Sequence, residues 1–427
     1  MTVKKVSTDT RYVIIGNGVA SIGAIEAIRK NDKTGSITVL ADEKYPCYGR
    51  PLISYYLEGM TTRDKMDYRP AGFYAANNVK LVLGSPADRI DAVSRKVWCG
   101  DSEYAYDRLL IATGSSPVVP PTAGYEDVKR KYTFNKLDDA LELEKVTDST
   151  TRVLIIGAGL TGLKAAEGLY PRVKEITVVD MAPRVLPAVM DDESSGIIRS
   201  YLENKGIRFF LSDSVEKYCD GYALLKSGAE VDFDVLVTAV GVRPNTRLAE
   251  SIGCVTERMT ESGRPFRGIV VGDDQQTTVA DVYAAGDCTL SYDVTIKNTR
   301  PLFIQPNAYM QGETAGTYMS GGSREKREYL PVNAGGFLGL HVITAGAYDG
   351  EPITVRDGGS FHRFFIKDNR LRGFIQIGEY SRVGILTDLI RREADLEGVD
   401  LASLVRHPNL AALGMDYVHS VLGKEGA

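Results

Sequence analysis

Cysteine is scarce in this chain. Five residues, Cys47, Cys99, Cys219, Cys254 and Cys288, are scattered over 427 positions. They are odd in number and never spaced C-x-x-C. That argues against a disulfide scaffold, a zinc site or a protein-held iron–sulfur cluster. A reducing cytoplasm is the simplest expected compartment. The four histidines, His341, His362, His407 and His419, show no ligand spacing, so no metal site is expected. Long apolar runs are also missing: none approaches the roughly 18 residues of a membrane span. The start, MTVKKVSTDTR, is polar and leads directly into an apolar run, so no secretory signal is expected. Excess charge of one sign is absent too. A net charge of −5 leaves no nucleic-acid footprint, and basic residues 324–327 read as a solvated face. What remains, 43% hydrophobic and 25% charged residues, is ordinary for a soluble globular protein, and the length predicts two or three domains.

Glycine is where the pattern lies. Residues 12–15 form a short apolar run that predicts a buried parallel strand. Gly16-Asn17-Gly18 then turns the chain, residues 19–30 carry helical periodicity, and a second apolar strand at 37–40 ends at Asp42-Glu43. Gly16 permits the tight turn. Gly18 lacks a Cβ, so a pyrophosphate can approach the backbone at the helix N-terminus beside Val19 and Ala20. Asp42 or Glu43 is placed to accept from a ribose hydroxyl. The third glycine of G-x-G-x-x-G is replaced by Ser21, small enough to keep strand and helix in close packing.

One such turn is weak evidence, but the chain repeats it. Residues 152–180 contain a complete Gly157-x-Gly159-x-x-Gly162, with Leu160 and Thr161 opening a helix. Asp180 closes the next strand, 21 residues after Gly159. Two units imply two dinucleotides, and two dinucleotides imply electrons passing between them.

The remaining segments read more coarsely. Residues 44–59 suggest a loop entering a short helix. Short strands at 79–83, 96–99 and 104–106 predict an antiparallel meander. A strand at 109–111 closes on Ala112-Thr113-Gly114, and the proline-rich stretch to 121 reads as a crossover. Helices are expected at 136–145 and 191–205, and strands at 207–211, 223–226 and 235–240. Gly241 opens a second crossover. Strands at 268–271 and 282–285 lead into Gly286-Asp287, and a helix follows at 307–319. Beyond 322, strands at 336–343, 362–366 and 371–377 precede helices from 381 to the end, which reads as a third domain.

With these motifs in order, the chain resembles the two-dinucleotide-domain flavoproteins of the pyridine nucleotide–disulfide oxidoreductase superfamily. Within it, the chain is similar to NADH:rubredoxin reductases, oxygenase-type ferredoxin reductases and the NADH-oxidising flavin part of assimilatory nitrite reductases. The likeness spans nearly the whole sequence. It rests on the first glycine turn, on Tyr48-x-Arg50-Pro51 with Ser54 and Leu57, on Ala112-Thr113-Gly114, and on residues 282–287 ending in Gly286-Asp287. The resemblance implies an α/β fold: two interleaved Rossmann-like nucleotide-binding domains plus an α+β C-terminal domain. FAD would be bound by residues 1–118 and 246–320, NAD by the inserted 119–245, and 321–427 would form an interface domain.

The resemblance also implies roles. Arg50 and Pro51 would lie along FAD, with Ala112, Thr113, Gly114 and Gly286 as further contacts. Asp287 would hold the ribityl chain, and the helix start around 305–307, including Asn307, would face the flavin. Gly241 would contact cofactor at the crossover. Asp180 would accept from the adenosine ribose and favour NADH over NADPH. Arg184 either softens that preference or belongs to a turn.

Two departures stand out. The relatives' redox cysteine falls on Pro51, four residues after Cys47, which is either a displaced redox cysteine or a plain loop residue. Lys164 replaces a glutamate that relatives pair with a lysine, whose place is taken by Tyr55. Lys164 is therefore the candidate catalytic group, supplying positive charge near the flavin–nicotinamide contact, unless it is a solvated helix lysine. The expected activity is NADH oxidation through FAD to, or from, rubredoxin, a ferredoxin or an iron–sulfur subunit. The alternatives are reduction of oxygen, peroxide or a disulfide through Cys47, and a flavin-bearing scaffold subunit. The oligomeric state is open.

Overall fold

In a computed structural model, the apolar runs before the two glycine turns become the central strands of two parallel five-stranded sheets. The structure describes residues 10–413 apart from 261–262, 264, 380–381 and 407. Along the chain come β1 (Arg11–Ile15), α1 (Val19–Asn31), β2 (Ser36–Leu40), α2 (Leu52–Glu58), β3 (Val79–Val82) and β4 (Arg108–Ile111). Then follow β5 (Lys131–Thr133), α3 (Leu137–Val146), β6 (Arg152–Ile156), α4 (Leu160–Leu169), β7 (Glu175–Asp180), α5 (Asp192–Asn204), β8 (Arg208–Leu211) and β9 (Val235–Thr238). The chain returns through β10 (Val282–Ala284) and α6 (Gln305–Met319). The first sheet has the order β10-β4-β1-β2-β3 and the second β8-β7-β6-β9-β5. One strand of the first sheet is thus supplied after the whole second sheet has been made. All pairings in both sheets are parallel. Strands buried on both faces need continuous apolar runs, which is what β1 and β6 carry.

A third sheet is antiparallel. It contains β11 (Val332–Phe337), β12 (Leu340–Gly346), β13 (Glu351–Asp357), β14 (Ser360–Lys367) and β15 (Arg370–Ile377), ordered β11-β12-β15-β14-β13. Helices α7 (Val383–Arg391) and α8 (Leu401–Arg406) pack on one face through Leu386, Leu389 and Leu404. The fold class is α/β, with two Rossmann-like units and an α+β C-terminal unit.

Helices α1 and α6 touch backbone to backbone. A Cβ on Gly312 would lie 1.8 Å from the Ala20 carbonyl oxygen, and one on Gly23 would lie 2.3 Å from that of Tyr309. This close approach sets the N-terminus of α6 beside the first glycine turn.

The structure corrects two expectations. Residues 79–82 join the parallel sheet beside β2 rather than the meander, because Leu81 packs into the apolar layer of α1. The meander is instead formed by Arg89–Asp91, Lys96–Cys99 and Ser102–Ala105. The single strand expected at 336–343 is a hairpin, β11–β12, turning at Leu338 and Gly339 with φ of 51° and 92°. Two successive left-handed residues make a tight hairpin turn, and a leucine in place of the usual asparagine hides it. The edge strand β13 carries no buried side chain, only half-buried or exposed ones, so it leaves no apolar pattern in the sequence. The helices expected beyond 413 lie outside the described residues. Among the described residues no helix is long and apolar enough to cross a membrane.

Candidate functional site

Both glycine turns leave their dinucleotide side open. A Cβ on Gly18 or Gly159 would meet nothing within 4 Å, and the same holds at Gly114 and Gly241. Gly16, by contrast, has a φ of 104°, and a Cβ there would strike the Ala112 carbonyl at 2.1 Å. It is a close-approach glycine that brings the first turn against Ala112-Thr113-Gly114. Val19 and Ala20 begin α1 and are buried. Ser21 is fully buried, and its hydroxyl donates to the Gly16 carbonyl at 2.7 Å. The serine thus converts what would be an oxygen–methyl contact into a hydrogen bond. In the second turn Gly162 has no such option: a Cβ there would sit 1.9 Å from the Gly157 oxygen. Leu160 and Thr161 open α4 directly after Gly159.

The acids at the strand ends differ. Asp42 is exposed and bonds Lys136 at 2.6 Å; that pairing outweighs partial burial and holds its carboxyl below the usual range. Glu43 is held by the Tyr48 hydroxyl at 2.8 Å and by Arg50 at 2.7 Å. Arg50 also donates to the Asn135 carbonyl, and Tyr48 accepts from the Leu137 amide. One network therefore ties the first turn's acid to the segment that starts α3. Asn17 joins the turn to Tyr74 at 2.8 Å. In the second unit Asp180 accepts from the Ala158 amide at 2.6 Å and the Ala182 amide at 2.7 Å. Its carboxylate is pinned beside the turn and keeps spare lone pairs. Arg184 is bonded to Asp192 at 2.8 Å.

Further along, Asp287 accepts from Ser115 at 2.8 Å. Burial pushes its carboxyl up, with Ser115 and Arg50 pulling the other way. Gly286 is anchored by Gln311 at 2.6 Å. Asn245 donates to the Thr113 carbonyl at 2.9 Å and fastens Ala112-Thr113-Gly114 to the second crossover. At the start of α6, Asn307 is 1% exposed, and its amide nitrogen has no hydrogen-bond partner; the Gln305 amide nitrogen is likewise buried without one. Buried donors without partners are rare, and these two sit at the positive end of a 15-residue helix. An electron-rich, carbonyl-bearing ring fits there. The open turns, the pinned acids and these donors together fit one dinucleotide at each unit.

Lys164 is not a solvated helix lysine. Its side chain is 19% exposed, and its ammonium lies over the Tyr55 ring, 4.3 Å from the centroid. It is paired with Glu167, one turn on, and donates to the Gly336 carbonyl at 3.3 Å. Glu167 was missed in the sequence, although its spacing of three from Lys164 on a helix was visible. Cys47 is 4% exposed among Val19, Ile22 and aromatic side chains. Burial pushes its thiol up to about 12, so it is a protonated, enclosed thiol and lacks the character of a redox nucleophile. Pro51, where the resemblance would place a redox cysteine, is the N-cap of α2. All five cysteines are free. Among the described residues no cluster of side chains fits a metal ion.

Comparison with known proteins agrees with this geometry. The family model for pyridine nucleotide-disulphide oxidoreductase matches residues 10–312. The epsilon subunit of NADH-dependent phenylglyoxylate dehydrogenase from Aromatoleum evansii is 29% identical, over 91% of this chain and 93% of its own. Nitrite reductase [NAD(P)H] of Bacillus subtilis is 28% identical over 93% of this chain, which spans about half (49%) of that protein. Rubredoxin-NAD(+) reductase of Pseudomonas putida is 29% identical over 73% of this chain and 80% of its own. The reductase of a covalent putidaredoxin reductase–putidaredoxin complex shares the fold, with a TM-score of 0.81 at 22% identity, covering 95% of this chain and 99% of that one. The chain therefore belongs to the pyridine nucleotide-disulphide oxidoreductase family and is an FAD- and NAD(H)-binding oxidoreductase.

Proposed function

We propose that this protein oxidises NADH and passes the electrons through FAD to an iron–sulfur or rubredoxin-type protein or subunit, or runs the same exchange in reverse. The observation that carries the reading is the pairing of two open glycine turns with an enclosed Cys47. Electrons that reach the flavin then have no thiol relay beside α2 and leave to an outside acceptor. Rubredoxin and putidaredoxin, named as partners of two of these similar proteins, are acceptors of this class. A cytoplasmic site of action belongs to the same proposal, as does a division into 1–118 with 246–320 for FAD, 119–245 for NAD and 321–427 for an interface domain.

When bound, the cofactors supply hydride exchange between nicotinamide and flavin, which needs stacking and distance more than acid or base groups. The chain's own residues set that geometry. Gly16, Gly18, Gly157 and Gly159 admit the pyrophosphates, Asp180 and Asp42 or Glu43 orient riboses, and Asp287 with Asn307 holds the flavin side. Lys164 places positive charge where the two units meet.

The test is an anaerobic titration of the purified protein with NADH, following flavin absorbance. Stoichiometric bleaching is expected. A protein that stays yellow would overturn the reading and favour a scaffold subunit. Lys164→Met is expected to slow flavin reduction about tenfold, the scale of one hydrogen bond or ion pair to a charged group. Cys47→Ala is expected to leave both reduction by NADH and transfer to an iron–sulfur acceptor unchanged. Loss of acceptor turnover in that variant, with NADH reduction intact, would restore the thiol-based alternative.

A further inference from the structure

We infer that Glu167 is the positioning residue for Lys164, and that the β11–β12 hairpin turn of the third sheet sets where it points. The inference rests on the proposed function, because it concerns how that site is held.

In Glu167 the carboxylate is divided between two partners. One oxygen takes the Lys164 ammonium; the other accepts from the Leu338 amide at 2.9 Å. The side chain is 5% exposed, so loss of either donor would leave a buried carboxyl oxygen without a partner. The same turn holds Lys164 directly, through the Gly336 carbonyl. It is itself anchored from α5, where the Tyr201 hydroxyl donates to the Leu338 carbonyl at 2.8 Å. Phe337, at the end of β11, is 1% exposed and lies in one apolar cluster with Leu163, Ile198 and Leu202. The turn therefore has a fixed seat on α4 and α5.

This arrangement explains why the lysine rests over Tyr55. An intrahelical pair three residues apart would ordinarily lie along the helix surface. Here the carboxylate is drawn toward the turn, and the ammonium is left spanning from α4 to α2. Tyr55 and Glu58 both belong to α2, one turn apart. Glu58 keeps a buried carboxyl oxygen without a partner, and its carboxyl is raised by burial and by the charge of Glu167, with Lys164 offsetting part of this. Lys164 thus faces two carboxyls and one phenol ring. Glu167, fixed by the turn, decides which of these faces it takes.

The experiment uses the holoprotein and three single variants: Glu167→Gln, Lys164→Met and Tyr201→Phe. Stopped-flow reduction by NADH separates the limiting rate from the apparent affinity. Glu167→Gln is expected to lower the limiting rate about tenfold, by the scale of one hydrogen bond to a charged group, with the NADH affinity little changed. The double variant Glu167→Gln/Lys164→Met is expected to fall no further than Lys164→Met alone. Tyr201→Phe, which keeps every charge, is expected to lower the rate in the same direction by a smaller factor.

A second readout needs no nucleotide turnover. Amide hydrogen exchange across residues 336–339 is expected to speed up in Glu167→Gln, and by more than in Lys164→Met, which removes only the contact to the Gly336 carbonyl and leaves the Glu167 bond to the Leu338 amide. Additive losses in the double variant would overturn the inference, as would unchanged exchange at the turn in Glu167→Gln. A wild-type protein that NADH fails to reduce would instead sink the proposed function, leaving the exchange result to judge the clamp on its own.

Discussion

Asp180→Ala is expected to raise the NADH concentration that half-bleaches the flavin by about tenfold to a hundredfold, and to erase most of the preference over NADPH. The magnitude follows from one charged acceptor and its ribose hydrogen bonds, each worth about 1.5–3 kcal/mol when a charge is involved. The geometry supports it because Asp180 is not a free side chain: the Ala158 and Ala182 amides hold both of its oxygens. Its position is therefore set before any nucleotide arrives, and little ordering is needed on binding. The loss of preference follows from charge, since a carboxylate at this place repels a 2′-phosphate and alanine does not. Arg184 will not compensate while it is tied to Asp192. Parallel titrations with the two nucleotides decide the matter. Equal affinity of the variant and the wild type for NADH would remove Asp180 from the site.

The second large effect is expected at Asp287. Asp287→Asn should weaken FAD about tenfold or more, measured as recovery of free-flavin fluorescence on dilution, because a charged acceptor is lost. The same change should stabilise the FAD-free protein near neutral pH. Burial raises the folded-state value of this carboxyl above 3.8. Between the unfolded and the folded value the folded chain holds a proton that the unfolded chain has released. The stability this contributes is complete below about 3.8 and is lost as pH rises through the folded value. Asparagine does not titrate, so thermal melts of the FAD-free variant should lack that decline. Parallel melting curves for the two proteins across that range would show that Asp287 does not titrate in the fold. A residue that costs stability when empty and holds cofactor when filled is a familiar compromise at binding sites.

Much of the fold was legible because its signals are local. In each of the two units the buried first strand, the turn after it and the acid at or just beyond the end of the second strand fall within about 30 residues, the span of a βαβ unit. Ser21 was read as tolerable from size alone. Only the structure shows that its hydroxyl replaces the missing glycine's close contact with a hydrogen bond. The third unit was read poorly for a physical reason. Its hairpin turns on a leucine at φ of 51°, which no propensity favours, and its edge strand β13 has no buried face to leave a pattern.

By itself, the sequence determined that two glycine turns each follow a buried strand and that an acid stands at or just beyond the end of the next strand of each unit. Backbone conformation and short-range spacing impose those features, and both are written residue by residue. The tertiary structure alone decided what surrounds them. Whether Cys47 is exposed or enclosed depends on how α1 sets Val19 and Ile22 against it and on Tyr309, far away in the chain. Whether Lys164 faces solvent or Tyr55 depends on Glu167 and on an amide 171 residues beyond it. A side chain's charge and reach are local properties. Its direction, partners and exposure are set by whichever distant segments pack against it.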